Sequence, residues 1–214
     1  HRHWYRYIDC ILLNFLFLRH FFNDKRFYVP LYLTVAAGTF TWIWSLCLFS
    51  DDVQFQSYYF KSVRPQNWTQ WGILMYAIAF ISSLETQASH ELIHRREGYN
   101  KAIGMFALSK IFYIHFKDEH VAGHHKQLST FEDTSTSRLN ESIYEYMPRE
   151  IYGTHKSMWK REFQRIRKQH GDDCPTLAFI VFNKMTWYYI VYAIICTTIY
   201  LVLGWNSLRF HLIF

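Results

Sequence analysis

Cysteine is scarce and scattered in this sequence. Only Cys10, Cys47, Cys174 and Cys196 occur, and three of them lie inside apolar runs, where a free cysteine acts as a small hydrophobe. Neither a disulfide framework nor a thiolate metal knot is indicated. Internal repeats, low-complexity tracts and a signal peptide with a small-residue cleavage site are also missing. Residue 1 is His rather than Met, so the natural start is expected upstream or removed by processing. The formal charge of +6 does not point to nucleic acid, because the Lys and Arg residues lie beside apolar spans and form no basic groove interleaved with aromatics. What is abundant is apolar surface. Half of the residues are hydrophobic and 20% aromatic, with 19 Phe, 16 Tyr and 8 Trp, far above soluble usage. The bilayer is therefore the first expected partner. At 214 residues the chain is long enough for one domain.

The apolar residues fall into separate runs, which predict an all-α fold: one integral-membrane helical bundle over residues 1–214. Residues 27–49 carry no charge and as a helix reach ~35 Å, enough to cross a bilayer core. Further spans are expected near 4–22, 70–89 and 181–203, with the start of another at 205–214. The run 102–116 is only ~22 Å long as a helix, too short to cross comfortably, and is expected to lie along the interface. A crossing there would also put the histidines before and after it on opposite membrane faces. A polar, histidine-rich cap is expected over residues 90–176. Basic residues cluster around 95–101 and 149–170, so the positive-inside bias places this cap on the cytoplasmic side, or the matrix side in an organelle. The stretch KSMWKREFQRIRK at 156–168 reads as a basic amphipathic helix, solvated or facing headgroups.

The chemistry-bearing signal is histidine. In HELIH, His90 and His94 stand four residues apart and share one helix face. In EHVAGHH, His120 and His124 repeat that spacing, with His125 adjacent and Gly123 leaving room for close packing. Five of the twelve histidines thus fall in two short boxes beside apolar spans. Polar groups near lipid face a partner or a cavity, and a metal is the simplest common partner. Scattered His1, His3, His20, His155, His170 and His211 read as boundary or hydrogen-bonded residues. A zinc protease with Glu91 as base fits HELIH alone. It fails further on, because Asn100 stands where a metzincin's third histidine belongs and the second box is surplus to one zinc. Two irons account for the number of imidazoles.

HELIHRREGYNKAIG, followed by YIHFKDEHVAGHHKQLSTFEDTSTSRLNESIYEYMPREIYG, resembles the alkane 1-monooxygenases and, more distantly, the membrane fatty-acid desaturases and hydroxylases. The likeness is specific over Glu85 to Gly153. It implies two irons held by His90, His94, His120, His124 and His125, with no catalytic residue beyond the metal centre. His115, Glu119, Asp133, Arg138 and Glu141 are the implied outer support that orients the imidazoles. It further implies dioxygen as co-substrate, hydroxylation of an alkane or fatty-acyl chain, and electrons from rubredoxin or a comparable iron-sulfur carrier. Lys117 and Asp118 stand where the family usually has apolar or aromatic residues, and Ile93 replaces a glycine. The family's later Asn-x-x-Glu-His-Tyr-Gly motif and Leu-x-x-His-x-x-His-His box do not occur up to Phe214. A five-histidine set motivates an alternative expectation: a catalytically inactive relative serving beside other membrane subunits as a structural part of a larger, possibly mitochondrial, complex.

Overall fold

A computed structural model describes residues 28–60, 63–171 and 175–213. They form α-helices α1 (Tyr28–Leu48), α2 (Val53–Tyr59), α3 (Trp68–Ile93), α4 (Gly98–Ser109) and α5 (Phe116–Glu119). A π-helical turn follows (His120–His124), then α6 (His125–Gln127), α7 (Ile143–His170), α8 (Thr176–Phe182), α9 (Lys184–Leu203) and α10 (Trp205–Ile213). Among the described residues there is no strand. Two of these helices, α1 and α9, are long and apolar enough to cross a membrane. The span expected at 4–22 lies outside the described residues.

Local signals set the helix ends. Asp52 caps α2 by accepting from the Phe55 amide at 2.9 Å, and Asn67 caps α3 by accepting from the Gln70 amide at 3.0 Å, each satisfying an orphan first-turn donor. Ser142 and Glu145 form a reciprocal capping box at the start of α7. Asn183 interrupts the run expected as one span at 181–203. Its side chain accepts from the Met185 amide at 2.9 Å, so α8 ends there and α9 begins.

Helix α3 packs along α1 on one side and α4 on the other, burying Val35, Ala88, Leu92 and Ala107 against Leu31, Tyr32 and Ile103. Small residues permit the close crossings. A Cβ on Gly38 would lie 2.4 Å from the Glu85 carboxylate, and one on Gly104 would lie 2.9 Å from the Ser89 carbonyl oxygen. Lys110, just past α4, pairs with Glu85 and donates to Thr39 at 2.8 Å, tying three helices through one buried charge pair.

The helix expected to continue to residue 116 therefore ends early. After Lys110 is drawn inward the chain reverses, with Phe112 at φ 56°. The Tyr192 hydroxyl on α9 then accepts from the Ile114 amide at 2.9 Å. Glycine 204, at φ 89°, turns α9 into α10. The Ser207 hydroxyl donates to the Leu46 carbonyl at 2.8 Å, and Trp42 donates to His211 at 3.3 Å, so α10 lies back on α1. Finally, α7 buries a stripe at four-residue spacing, Thr154, Met158, Glu162 and Ile166. One face of the basic 156–168 segment thus faces protein.

Candidate metal centre

Helix α3 continues to Ile93, so HELIH stays helical and His90 and His94 project from one face at its end. The reversal after α4 brings the second box alongside. Four ring nitrogens converge: His90 Nε2 is 2.8 Å from His120 Nε2, His94 Nε2 is 3.3 Å from His90 and 3.1 Å from His120, and His125 Nε2 is 3.1 Å from His120. Nitrogens in adjacent positions around one divalent metal, each ~2.1 Å from it, stand ~3.0–3.4 Å apart. A neutral imidazole has one N–H, so a triangle of His90, His94 and His120 nitrogens cannot be satisfied by mutual hydrogen bonds alone. A cation at its centre satisfies all three.

Burial holds His90 and His94 below their ordinary range. Burial and the neighbouring imidazoles push His120 down to about 3. At neutral pH these groups are unprotonated, as metal ligands must be.

The second box departs from the expected helical geometry. Its amide-to-carbonyl bond from His125 back to His120 closes a π-turn, a local widening that recurs at functional sites. As a result His125, not His124, shares the inward face with His120. The His124 ring stacks on His120 at 5.1 Å between centroids and turns its Nδ1 to Asp133, 2.8 Å away. Asp133 is buried and also accepts from the Ser135 amide at 3.0 Å and from the Thr136 hydroxyl. That contact orients the His124 ring through its Nδ1.

The other expected supports take different places. Glu119 is buried, but accepts from Ser157 at 3.1 Å and lies 3.6 Å from Arg161, so it braces the π-turn against α7. His115 is also buried, and neither of its ring nitrogens finds a hydrogen-bond partner. It stands edge-on to Tyr113 and His155, and burial, with His155 nearby, holds it at about 4. Arg138 and Glu141 are not at the imidazoles. The Arg138 amide donates to Glu141 at 2.8 Å, and Glu141 pairs with Arg149. Arg149 in turn donates to the Thr134 and Thr136 carbonyls at 2.9 and 3.0 Å. They act on the centre only by fixing the loop that carries Asp133. Glu91 is engaged by Arg95 one turn along the helix.

Residues without a sequence signal complete the site. Arg161 donates to the Ala122 carbonyl that the π-turn leaves open, and to Gln127 at 3.1 Å. Phe116 stacks on His120 at 4.7 Å and shields it on that side. A Cβ on Gly123 would meet the ends of the Glu119 and Arg161 side chains, so a larger residue there would have to displace this brace.

Comparison with known proteins adds to the geometry. Residues 65–214 match the family described as fatty acid desaturase. The chain is 33% identical over 113 residues to the alkane 1-monooxygenase of Ectopseudomonas oleovorans, covering 53% of this chain and 28% of that protein. It is 32% identical over 123 residues to alkane 1-monooxygenase 2 of Alcanivorax borkumensis, covering 58% and 31%. With alkane 1-monooxygenase 2 of Pseudomonas aeruginosa it shares 30% identity over 143 residues, covering 67% and 37%. The matched stretches thus span only about a third of these relatives' own length.

Proposed function

Since this chain belongs to the fatty acid desaturase family, we propose that it carries the first two histidine boxes of a membrane-bound, non-haem di-iron monooxygenase that hydroxylates alkane or fatty-acyl chains with dioxygen. The observation that carries the proposal is the convergence of the His90, His94, His120 and His125 Nε2 atoms. Together with His124 they offer five imidazole nitrogen donors, a donor set that suits iron. Iron held there would activate dioxygen for insertion into a C–H bond.

The chain's own residues supply position and protection. Phe116 and the buried side of the π-turn keep water from His120. Asp133 holds the proton of His124 on Nδ1, so its Nε2 stays available. Arg161 and Glu119 fix the π-turn that sets which histidines face inward. In this reading α3, with α1 and α9, spans the bilayer. The histidine face lies on the cytoplasmic side, or the matrix side in an organelle. Electrons come from an iron-sulfur carrier such as a rubredoxin, for which the basic residues of α7 between Lys156 and Lys168 offer an acidic protein its contact.

Metal analysis of the purified, full natural protein tests this. About two irons per chain are expected, together with oxygen-dependent hydroxylation of an alkane. His94→Ala or His120→Ala should abolish both while the helices stay inserted, since lipid and internal backbone bonding hold them. Absence of iron would favour the inactive structural subunit instead.

A further inference from the structure

We propose that an unbroken file of aromatic side chains carries single oxidising equivalents from the imidazole cluster to the protein surface at Trp159 and Tyr189. The inference rests on the iron reading above for its source of oxidant. The file begins with Phe116, stacked on His120 at 4.7 Å and 24°, and continues to Tyr113, stacked on Phe116 at 5.1 Å and 18°. His115 meets Tyr113 edge-on at 4.9 Å, and His155 meets His115 at 5.0 Å. Tyr189 lies 5.9 Å beyond His155 and stacks on Trp159 at 6.1 Å and 28°. Successive ring centroids thus stand 4.7–6.1 Å apart, and Tyr189 is 41% exposed.

Packing alone does not explain the polar atoms along this file. A phenol gives up an electron readily only if its proton has somewhere to go, and both phenols have an acceptor in place. The Tyr113 hydroxyl donates to Glu150 Oε1 at 2.7 Å, and the Tyr189 hydroxyl is in hydrogen-bond contact with His155 Nε2. Trp159 Nε1 donates to that same hydroxyl at 3.3 Å. Phenylalanine at both positions would fill the same space without a carboxylate hydrogen-bonded beside one ring and an imidazole beside the other.

The steps balance. Tyr113 would give up one electron to an oxidant generated at the imidazoles from dioxygen, and its proton would pass to Glu150, leaving a neutral phenoxyl group. An electron from Tyr189 then refills Tyr113 as Glu150 returns the proton, and the Tyr189 proton moves to His155. A one-electron donor at the surface, such as ascorbate or an iron-sulfur carrier, reduces Tyr189, and His155 gives the proton back. When no hydrocarbon is bound, this route drains oxidising power that would otherwise attack the imidazoles.

The test uses iron-loaded protein mixed with hydrogen peroxide in the absence of hydrocarbon, frozen within milliseconds and read by electron paramagnetic resonance. Wild type should give a phenoxyl signal that narrows when the protein is grown on ring-deuterated tyrosine. Tyr113→Phe should lose most of that signal, and Glu150→Gln, which keeps the shape but not the proton acceptor, should reduce it. Tyr189→Phe should leave the signal in place and slow its decay by ascorbate several-fold. An iron-loaded wild type with no tyrosine or tryptophan signal overturns the relay alone, as does a signal unmoved in both tyrosine variants. Failure of the protein to take up iron overturns the iron reading and the relay together.

Discussion

Replacing Asp133 with Asn isolates what the outer support contributes to the centre. The substitution keeps the volume of a side chain that is 4% exposed and removes only its charge and half of its accepting capacity. In the native arrangement the carboxylate faces His124 Nδ1 at 2.8 Å, accepts from the Ser135 amide at 3.0 Å and accepts from the Thr136 hydroxyl. The Ser135 amide bonds one carboxylate oxygen while Thr136 and His124 share the other, so a carboxamide that keeps its oxygen on the Ser135 amide presents its NH2 to His124, and the Thr136 hydroxyl must turn to accept. That reverses the tautomer, putting the proton on Nε2, the atom needed for a metal. Loss of one such orienting contact lowers metal affinity by about 10- to 100-fold, or about 1.4–2.7 kcal/mol. Competition between the protein and a chromophoric chelator for ferrous iron or cobalt measures this directly, and the melting temperature of the metal-free protein serves as control. An unchanged affinity in Asp133→Asn, beside a lost site in His120→Ala, would refute the claim that His124 joins the centre through Asp133.

Other consequences are equally open to measurement. Lys110→Met leaves the buried Glu85 carboxylate unpaired and should destabilise the protein by about 3–5 kcal/mol, whereas the double change Glu85→Leu, Lys110→Met should recover most of that loss. Equilibrium unfolding in detergent compares the two, and equal losses would count against the pair. Gly123→Ala pushes a methyl group into the Glu119 carboxylate and Arg161 and should lower stability by about 1–3 kcal/mol while weakening metal uptake. The metal-free protein should also lose stability as pH falls from 6.5 towards 4. His115 is pushed down to about 4 from an ordinary 6.5, so over that interval the unfolded chain binds a proton that the folded one refuses. The stability conferred by the neutral ring is fully present above 6.5, and the loss amounts to about 3 kcal/mol by the lower end. His115→Phe should flatten part of the decline of the melting temperature between pH 7 and pH 4.5, the rest coming from His90, His94 and His120, and an unaltered slope would mean that His115 contributes nothing to it.

What could be read in advance depends on how local its cause is. The uncharged run ending in α1 needed only composition and length, and the HELIH pair needed only helical periodicity, because α3 continues through it. The early end of α4 had no local sign. Lys110 leaves the helix because Glu85 waits on α3, and the chain turns at Phe112 because Tyr192 on α9 accepts the Ile114 amide. The roles of His124 and His125 escaped the four-residue rule for the same reason. A π-turn is weakly favoured by its own residues and persists here because Arg161, far along the chain, satisfies the Ala122 carbonyl it exposes. Arg138 and Glu141 lie close in sequence to Asp133, yet their contacts run to one another and to Arg149. The family resemblance marked them as support for the imidazoles without showing that their contacts stop at the loop.

The brace also determines what the metal adds. Glu119, Ser157, Arg161 and Gln127 fix the second box with protein contacts alone, and α3 presents His90 and His94 without help from the second box. The imidazole triangle is therefore assembled from two independently held pieces before any ion arrives. Converging lone pairs repel, so the metal-free site stores an unfavourable interaction that a cation relieves, and binding does not have to order the backbone as well. Metal should then stabilise the protein by mass action on an existing fold, with little change in helix content. Removing one imidazole should relieve part of the repulsion. His94→Ala and His120→Ala are accordingly expected to melt no lower than wild type when all three are metal-free, and to fall behind it only after metal is added. A metal-free His120→Ala protein that has lost its helical circular dichroism would mean that the histidines hold the fold and the fold does not hold them.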